Sequence, residues 1–345
     1  MTFQQHAKHD RQVALWLLFC ASVVFGMIML GGVTRLTHSG LSMVDWKPLM
    51  GVIPPMSEQA WIETFEQYKQ YPEYQQVNKG MELQGFKRIF MYEYLHRVLG
   101  RLIGVIFFFP MLYFALRGRI RAGLMPHLWF LFLLGSLQGL LGWYMVKSGL
   151  VNVPRVSQYR LTAHLGLAVL IYAYMLWLFF DLVFLREQRA QRLRRSLAGW
   201  SLFLVGLVYL MILSGGLVAG TRAGLAYPTW PLMGETFIPP GLYAMTPAWL
   251  SAFEDVVTIQ FNHRMFAYLL VVLLTAFAII AFRDGGRQRS RLGAVLLVAA
   301  LFTQVILGIS TLLLHVPVAL GTAHQGGAVV LLSAMLFLAH VQVRQ

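Results

Sequence analysis

The chain has 345 residues, 58% apolar and 12% charged, about half the ~25% charge of an ordinary soluble domain. That balance, with a mean hydropathy of +0.62, excludes a disordered chain, a soluble globular enzyme and a secreted disulfide scaffold. The formal charge of +14 in so apolar a chain marks loop orientation in a bilayer rather than nucleic-acid binding. The single cysteine, Cys20, lies in an apolar run, so neither an internal disulfide nor a cysteine metal cluster can form.

Hydropathy predicts eight membrane spans, at about 13–32, 94–116, 124–146, 161–185, 198–219, 262–282, 292–314 and 318–341. The first is too long for the apolar region of a cleavable signal, and no small-residue cleavage site follows it. No Arg- and Ser-rich organelle leader is evident, which leaves a bacterial inner membrane as the expected home. Arg117, Arg119 and Arg121, then Arg186, Arg189, Arg192, Arg194 and Arg195, then Arg283, Arg287, Arg289 and Arg291 occupy alternate loops. Lys8, Arg11 and Arg344 share their side, so both termini are expected in the cytoplasm. In the first outer loop, about 33–92, Ser57 precedes Trp61, Phe65 and Tyr68 at helical spacing. This pattern predicts a short amphipathic helix, lying either on the outer leaflet or as a lid over a buried site.

Motifs recur in the same order along the chain. Gly31-Gly32-Val33 returns as Gly215-Gly216-Leu217 and Trp46 as Trp230, each 184 positions later. Ile53-Pro54-Pro55 returns as Ile238-Pro239-Pro240, His96-Arg97 as His263-Arg264, and His164 as His324. Gln138 returns as Gln304, each with a glycine four residues on, Gly142 and Gly308. Four spans per copy is an even number, so both copies enter the membrane the same way up. The expected fold is therefore an all-α polytopic membrane protein: eight transmembrane helices forming two parallel four-helix-bundle repeats. The division falls in the arginine-rich loop, giving residues 1–190 and 191–345.

Of ten histidines, His6, His9, His38, His127, His315 and His340 occupy a tail, a loop or helix ends, where solvated or interfacial roles suffice. His96, His164, His263 and His324 fall near the outer starts of even-numbered spans, one pair per bundle. Ionisable groups in a membrane usually mark a site. Zinc or copper normally takes three or four ligands close together, whereas two histidines on two helices fit the axial ligands of a haem. Pairing across the halves stays open at this stage. The residue one turn after each histidine is small (Gly100, Ala168, Ala267, Ala328), which would leave a helix surface clear for a flat macrocycle. Arg97 and Arg264 could pair with haem propionates or snorkel toward headgroups.

Glu93 lies three and four residues before His96 and Arg97, so the three share a helix face. Its counterpart is Gln260, which cannot ionise. Glu93 is either half of an ion pair with Arg97 or an acid–base or charge-stabilising group at a reaction centre in the first bundle. The second bundle would then carry electron transfer. Gln138 and Gln304 are sufficiently explained by interhelical hydrogen bonds.

The runs Gly31-Gly32-Val33-Thr34-Arg35-Leu36-Thr37 and Ser39-Gly40-Leu41-Ser42-Met43, continuing to Trp46 and Pro54-Pro55, resemble the first outer loop of the haem A synthase family. So do Glu93-Tyr94-Leu95-His96-Arg97, His164-Leu165-Gly166, Asn262-His263-Arg264 and His324-Gln325. The resemblance covers nearly the whole chain and is nearest the mitochondrial and proteobacterial branch. It implies oxidation of the C8 methyl of haem O to a formyl group, giving haem A for cytochrome c oxidase. It also implies haem B held between His263 and His324, substrate haem between His96 and His164, and an essential Glu93. Haem O synthase and cytochrome c oxidase assembly factors are the implied partners, besides the lipid bilayer and an unknown electron-transfer partner. The cysteine pairs of the Gram-positive branch are missing, and Asn262 stands where mitochondrial relatives have Asp. Two axial histidines would close the substrate iron to oxygen, so water is the expected oxygen source. The alternatives are a two-haem electron conduit and a haem carrier, neither of which alters the haem.

Overall fold

A computed structural model describes residues 3–44, 53–149, 155–184, 195–283 and 288–344. Trp46 and the loop arginines Arg186, Arg189, Arg192, Arg194 and Arg287 lie outside the described residues. The helices are α1 (Phe3–Leu36), α2 (Glu58–Lys69), α3 (Leu83–Leu116), α4 (Met125–Gly149) and α5 (Gln158–Val183). They continue with α6 (Arg195–Thr221), α7 (Ser251–Glu254), α8 (Val256–Arg283), α9 (Gln288–Leu313) and α10 (Val318–Arg344). Among the described residues the only β pairing is an isolated bridge, Met233–Thr236. Eight of these helices are long and apolar enough to cross a membrane, and each overlaps one of the eight expected spans. Hydrocarbon offers the backbone no partners, so a helix that satisfies its own N–H and C=O groups is the form such sequences take.

The largest departure is at α3, which starts at Leu83 rather than near residue 94. Lys87 and Arg88 end the lipid-like stretch, yet Phe86, Ile89 and Phe90 continue an apolar face beyond it. That face buries against Phe65 and Tyr68 of α2 in a cluster separate from the main core. The Phe86 ring stacks 5.0 Å from those of Phe65 and Tyr68. Ser57 caps α2 by accepting from the Ala60 N–H at 3.1 Å, as the sequence pattern indicates. The buried side of α2 is thus packed on the N-terminal extension of α3.

Helices α5 and α10 pack against each other at the centre. Helix α1 packs on α3, α5 and α10, while α6 packs on α8, α10 and α5; α4 lies on α5 and α9 on α10. Exchanging α1 with α6, α3 with α8, α4 with α9 and α5 with α10 leaves this pattern of neighbours unchanged. At the end of the α5–α10 pair remote from the candidate histidines, His340 Nε2 lies 3.0 Å from Asp181 Oδ1, and Arg344 donates to Asp181 at 2.8 Å. His340 is therefore not solvated, as its terminal position suggests: it is 1% exposed and its ring packs on Trp177 and Phe180.

Candidate functional site

The four histidines each lie against a glycine of a neighbouring helix. A Cβ on Gly31 would stand 3.2 Å from His96 Cε1, and one on Gly142 would stand 2.9 Å from His164 Cε1. The corresponding distances are 3.5 Å from Gly215 to His263 and 2.8 Å from Gly308 to His324. These close approaches explain the glycines that the repeat pattern picks out without assigning them a purpose. In each Gly-Gly pair the second glycine faces the other half: Gly32 meets the side chain of Gln325, and Gly216 meets Thr162. By contrast, Gly100, one turn after His96, faces Met27 of α1.

His96 lies within electrostatic range of His164, and His263 within range of His324. The structure thus brings the histidines together within each half. Among the described residues, no three His, Cys, Asp or Glu side chains converge as a bare metal site would need. The buried Nδ1 atoms of His96, His164 and His324 have no protein partner. His263 Nδ1 lies 3.0 Å from Ser214 Oγ. Imidazoles packed on glycine in an apolar interior, three of them with an Nδ1 that no protein group satisfies, fit axial ligation of a flat macrocycle. Gln138 makes the interhelical bond expected of it and also lies against a candidate histidine. Its Nε2 donates to the His164 carbonyl at 2.9 Å and stands 3.5 Å from His164 Nε2.

Glu93 is 3% exposed and grips the loop that follows α1. Its Oε2 accepts from Ser42 Oγ and from the Met43 N–H, each at 2.8 Å. Its Oε1 accepts from Arg97 at 2.5 Å, and Arg97 donates to the Met43 carbonyl at 2.8 Å. The second half repeats this clamp with other chemistry. Gln260 Oε1 accepts from the Tyr227 N–H at 3.1 Å, and its Nε2 donates to the Tyr227 carbonyl at 3.1 Å. Arg264 donates to the Tyr227 carbonyl at 2.6 Å and to the Thr229 carbonyl at 2.9 Å. Tyr227 is the counterpart of Met43 at the 184-residue interval, and Ala226 is the counterpart of Ser42. The half without the carboxylate therefore also lacks the hydroxyl that donates to it. Of the two expectations for Glu93, the structure shows the ion pair with Arg97, as one part of a wider clamp. Sequence reasoning missed Ser42, although the paired replacements Ser42/Ala226 and Glu93/Gln260 signal it.

Arg97 and Arg264, expected near haem carboxylates or headgroups, are engaged with loop carbonyls. Arg264 Nε, however, is buried with no acceptor in the protein.

The family model described as "Cytochrome oxidase assembly protein" matches residues 14–336. The chain is 50% identical over 337 residues to the protein named "Heme A synthase" of Nitrosospira multiformis, covering 97% of this chain and 95% of that one. It is 50% identical over 336 residues to the "Heme A synthase" of Paramagnetospirillum magneticum, covering 96% and 93%. Against that of Parvibaculum lavamentivorans it is 47% identical over 328 residues, covering 95% and 93%. With matches of this extent, on a chain whose two histidine pairs lie against repeated glycines, the chain belongs to the haem A synthase family.

Proposed function

We propose that this protein is a haem A synthase, oxidising the C8 methyl of haem O to a formyl group, with water as the source of the oxygen. The observation that carries the reading is the asymmetry between two otherwise matched halves. Each presents a histidine pair against glycine, and only the first sets a buried carboxylate, Glu93 with Ser42, beside it. A two-haem conduit or a haem carrier gives that difference no purpose.

In this reading His96 and His164 hold the substrate haem and His263 and His324 hold haem B. When bound, haem B supplies one-electron transfer. The orphaned Nδ1 atoms and the glycine-backed rings support the ligand assignment, and the buried Nε of Arg264 is the kind of donor a propionate would satisfy. Glu93, fixed by the donors of Ser42, Met43 and Arg97, places a negative charge beside the substrate site. There it stabilises positive charge that develops as electrons leave the macrocycle and water attacks the methyl carbon. Methyl plus one water becoming formyl releases four protons and four electrons, so the site needs a route for both. The matching neighbours of the two sets of helices support a duplication divided as residues 1–190 and 191–345. The alternating arginines support an inner-membrane protein with both termini cytoplasmic and the haem sites near the periplasm. Haem O synthase and oxidase assembly factors are the proposed partners.

The test is expression with a haem O source, followed by acid–acetone extraction and chromatography. Haem A or its hydroxylated intermediate is expected. Unaltered haem O, with both haem sites filled, would refute the enzyme. Labelling in ¹⁸O-water, with exchange controlled, should place the isotope in the formyl group. Incorporation solely from ¹⁸O₂ would refute water as the oxygen source.

A further inference from the structure

A second buried acid lies under the first outer loop. Glu73 begins the short π-helical turn Glu73–Val77 that follows α2. It is 6% exposed, and its Oε2 is buried with no hydrogen-bond partner. The charged groups it faces come from three other parts of the fold: Arg35 at the outer end of α1, Glu93 on α3, and Arg222 just after α6. Tyr68 of α2, wholly buried, lies within electrostatic range of both Glu73 and Glu93, and of Tyr74. Its hydroxyl accepts from Asn78 Nδ2 at 2.7 Å, which leaves its own proton to donate.

The two acids are held in opposite ways. The oxygens of Glu93 accept from Ser42, Met43 and Arg97, and every one of these partners is a donor. Putting a proton on an oxygen so engaged breaks a bond that anchors the loop. Glu73 has a buried oxygen that no donor satisfies, so a proton can be added there at no such cost.

We propose that Glu73, and not Glu93, is the acid that takes up protons released at the first-half site and passes them outward. The proposal rests on the reading that methyl oxidation occurs in that half. Glu93 then remains the fixed charge, and Tyr68 lies within electrostatic range of both carboxyls. Burial pushes the Glu73 carboxyl up to about 7, with Glu93 adding to the rise and Arg222 and Arg35 opposing it. A carboxyl in that range can load and unload near neutral pH. Burial also raises the Tyr68 hydroxyl, which therefore stays a donor.

The experiment is infrared difference spectroscopy of the purified full-length protein through a pH series, with Glu73→Gln and Glu93→Gln in parallel. The expected result is one buried carboxyl that titrates near neutrality, retained in Glu93→Gln and lost in Glu73→Gln. Its persistence in Glu73→Gln, or its absence from the unaltered protein, overturns the proposal. If Glu73→Gln does not accumulate, Glu73→Asp keeps the carboxyl and should shift its band; an unshifted band overturns the proposal equally. For turnover, Glu73→Gln should keep its haem content and lose about tenfold in rate together with the rate's dependence on pH near neutrality. An unchanged pH profile overturns the relay. A neutral-range carboxyl at Glu73 in a protein that makes no haem A would instead refute the enzymatic reading, so the two failures are distinguishable.

Discussion

The Arg222 guanidinium lies 3.2 Å from Nδ1 of His38, 184 residues away along the chain. That is the interval separating Gly31 from Gly215 and Met43 from Tyr227. Arg35 reaches the Ala219 carbonyl at 2.8 Å across the same interval. The two contacts join positions 184 residues apart where the C-terminal ends of α1 and α6 meet.

His38 serves in this contact as a neutral acceptor. Burial, then Arg222 and Arg35, hold its imidazole below the ordinary range. Its contribution is therefore complete above about pH 6.5 and declines as pH falls below that value. His38→Asn keeps an acceptor and tolerates the left-handed backbone at φ 55. The thermal midpoint of the variant should depend less on pH between about 7.5 and 5.5 than that of the unaltered protein. Equal dependence in both would remove His38 from the account.

The four histidine-facing glycines give a graded test. Alanine at Gly308 or Gly142 places a Cβ 2.8 or 2.9 Å from an imidazole carbon, at Gly31 3.2 Å and at Gly215 3.5 Å. Overpacking costs about 1–3 kcal/mol, whereas alanine in a helix gains up to about 1 kcal/mol over glycine. Haem content per protein, read by absorbance, should fall most for Gly308→Ala and Gly142→Ala and less for Gly31→Ala. Gly215→Ala should be neutral or slightly stabilising. A flat series would mean that the rings move freely.

Glu93→Gln turns an amide N–H₂ toward donors or weakens the bonds from Ser42 and Met43. It should reduce formation of the formyl product by about 10²–10⁴-fold while haem absorbance persists. Ser42→Ala removes one donor and should cost about tenfold, roughly one hydrogen bond to a charged group. Unchanged product from Glu93→Gln would leave the residue as a loop anchor alone.

Asp181 joins α5 to α10 through His340 and Arg344. Its side chain is 26% exposed, so Asp181→Ala should cost about 1–3 kcal/mol. Thermal unfolding should shift down by a few degrees with no change in extracted haem products. A change in those products would tie this remote network to the chemistry.

Much of this was legible in the sequence, because lipid imposes its period on composition. Eight spans follow from runs of apolar residues, and the four histidines that the structure pairs stand out by their order. The outer end of α3 was not, since Lys87 and Arg88 obscure a helix that Phe86, Ile89 and Phe90 hold together against α2. His340 was misplaced because proximity to a chain end says nothing about the aromatic rings packed around it. The roles of Gly142 and Gly308 required knowing which neighbour each faces. The Glu93–Gln260 difference was visible, but the shared grip on Met43 and Tyr227 arises only when distant loops fold back onto α3 and α8.

Gly32 packs on Gln325 and Gly216 on Thr162, so each half presents the other with a surface shaped for close approach. Two fragments made by opening the chain between α5 and α6 would carry those surfaces intact. Expressed together in one membrane they should find each other by lateral diffusion and reconstitute the whole. Either fragment alone would be left with a bare seam that lipid tails cannot fill.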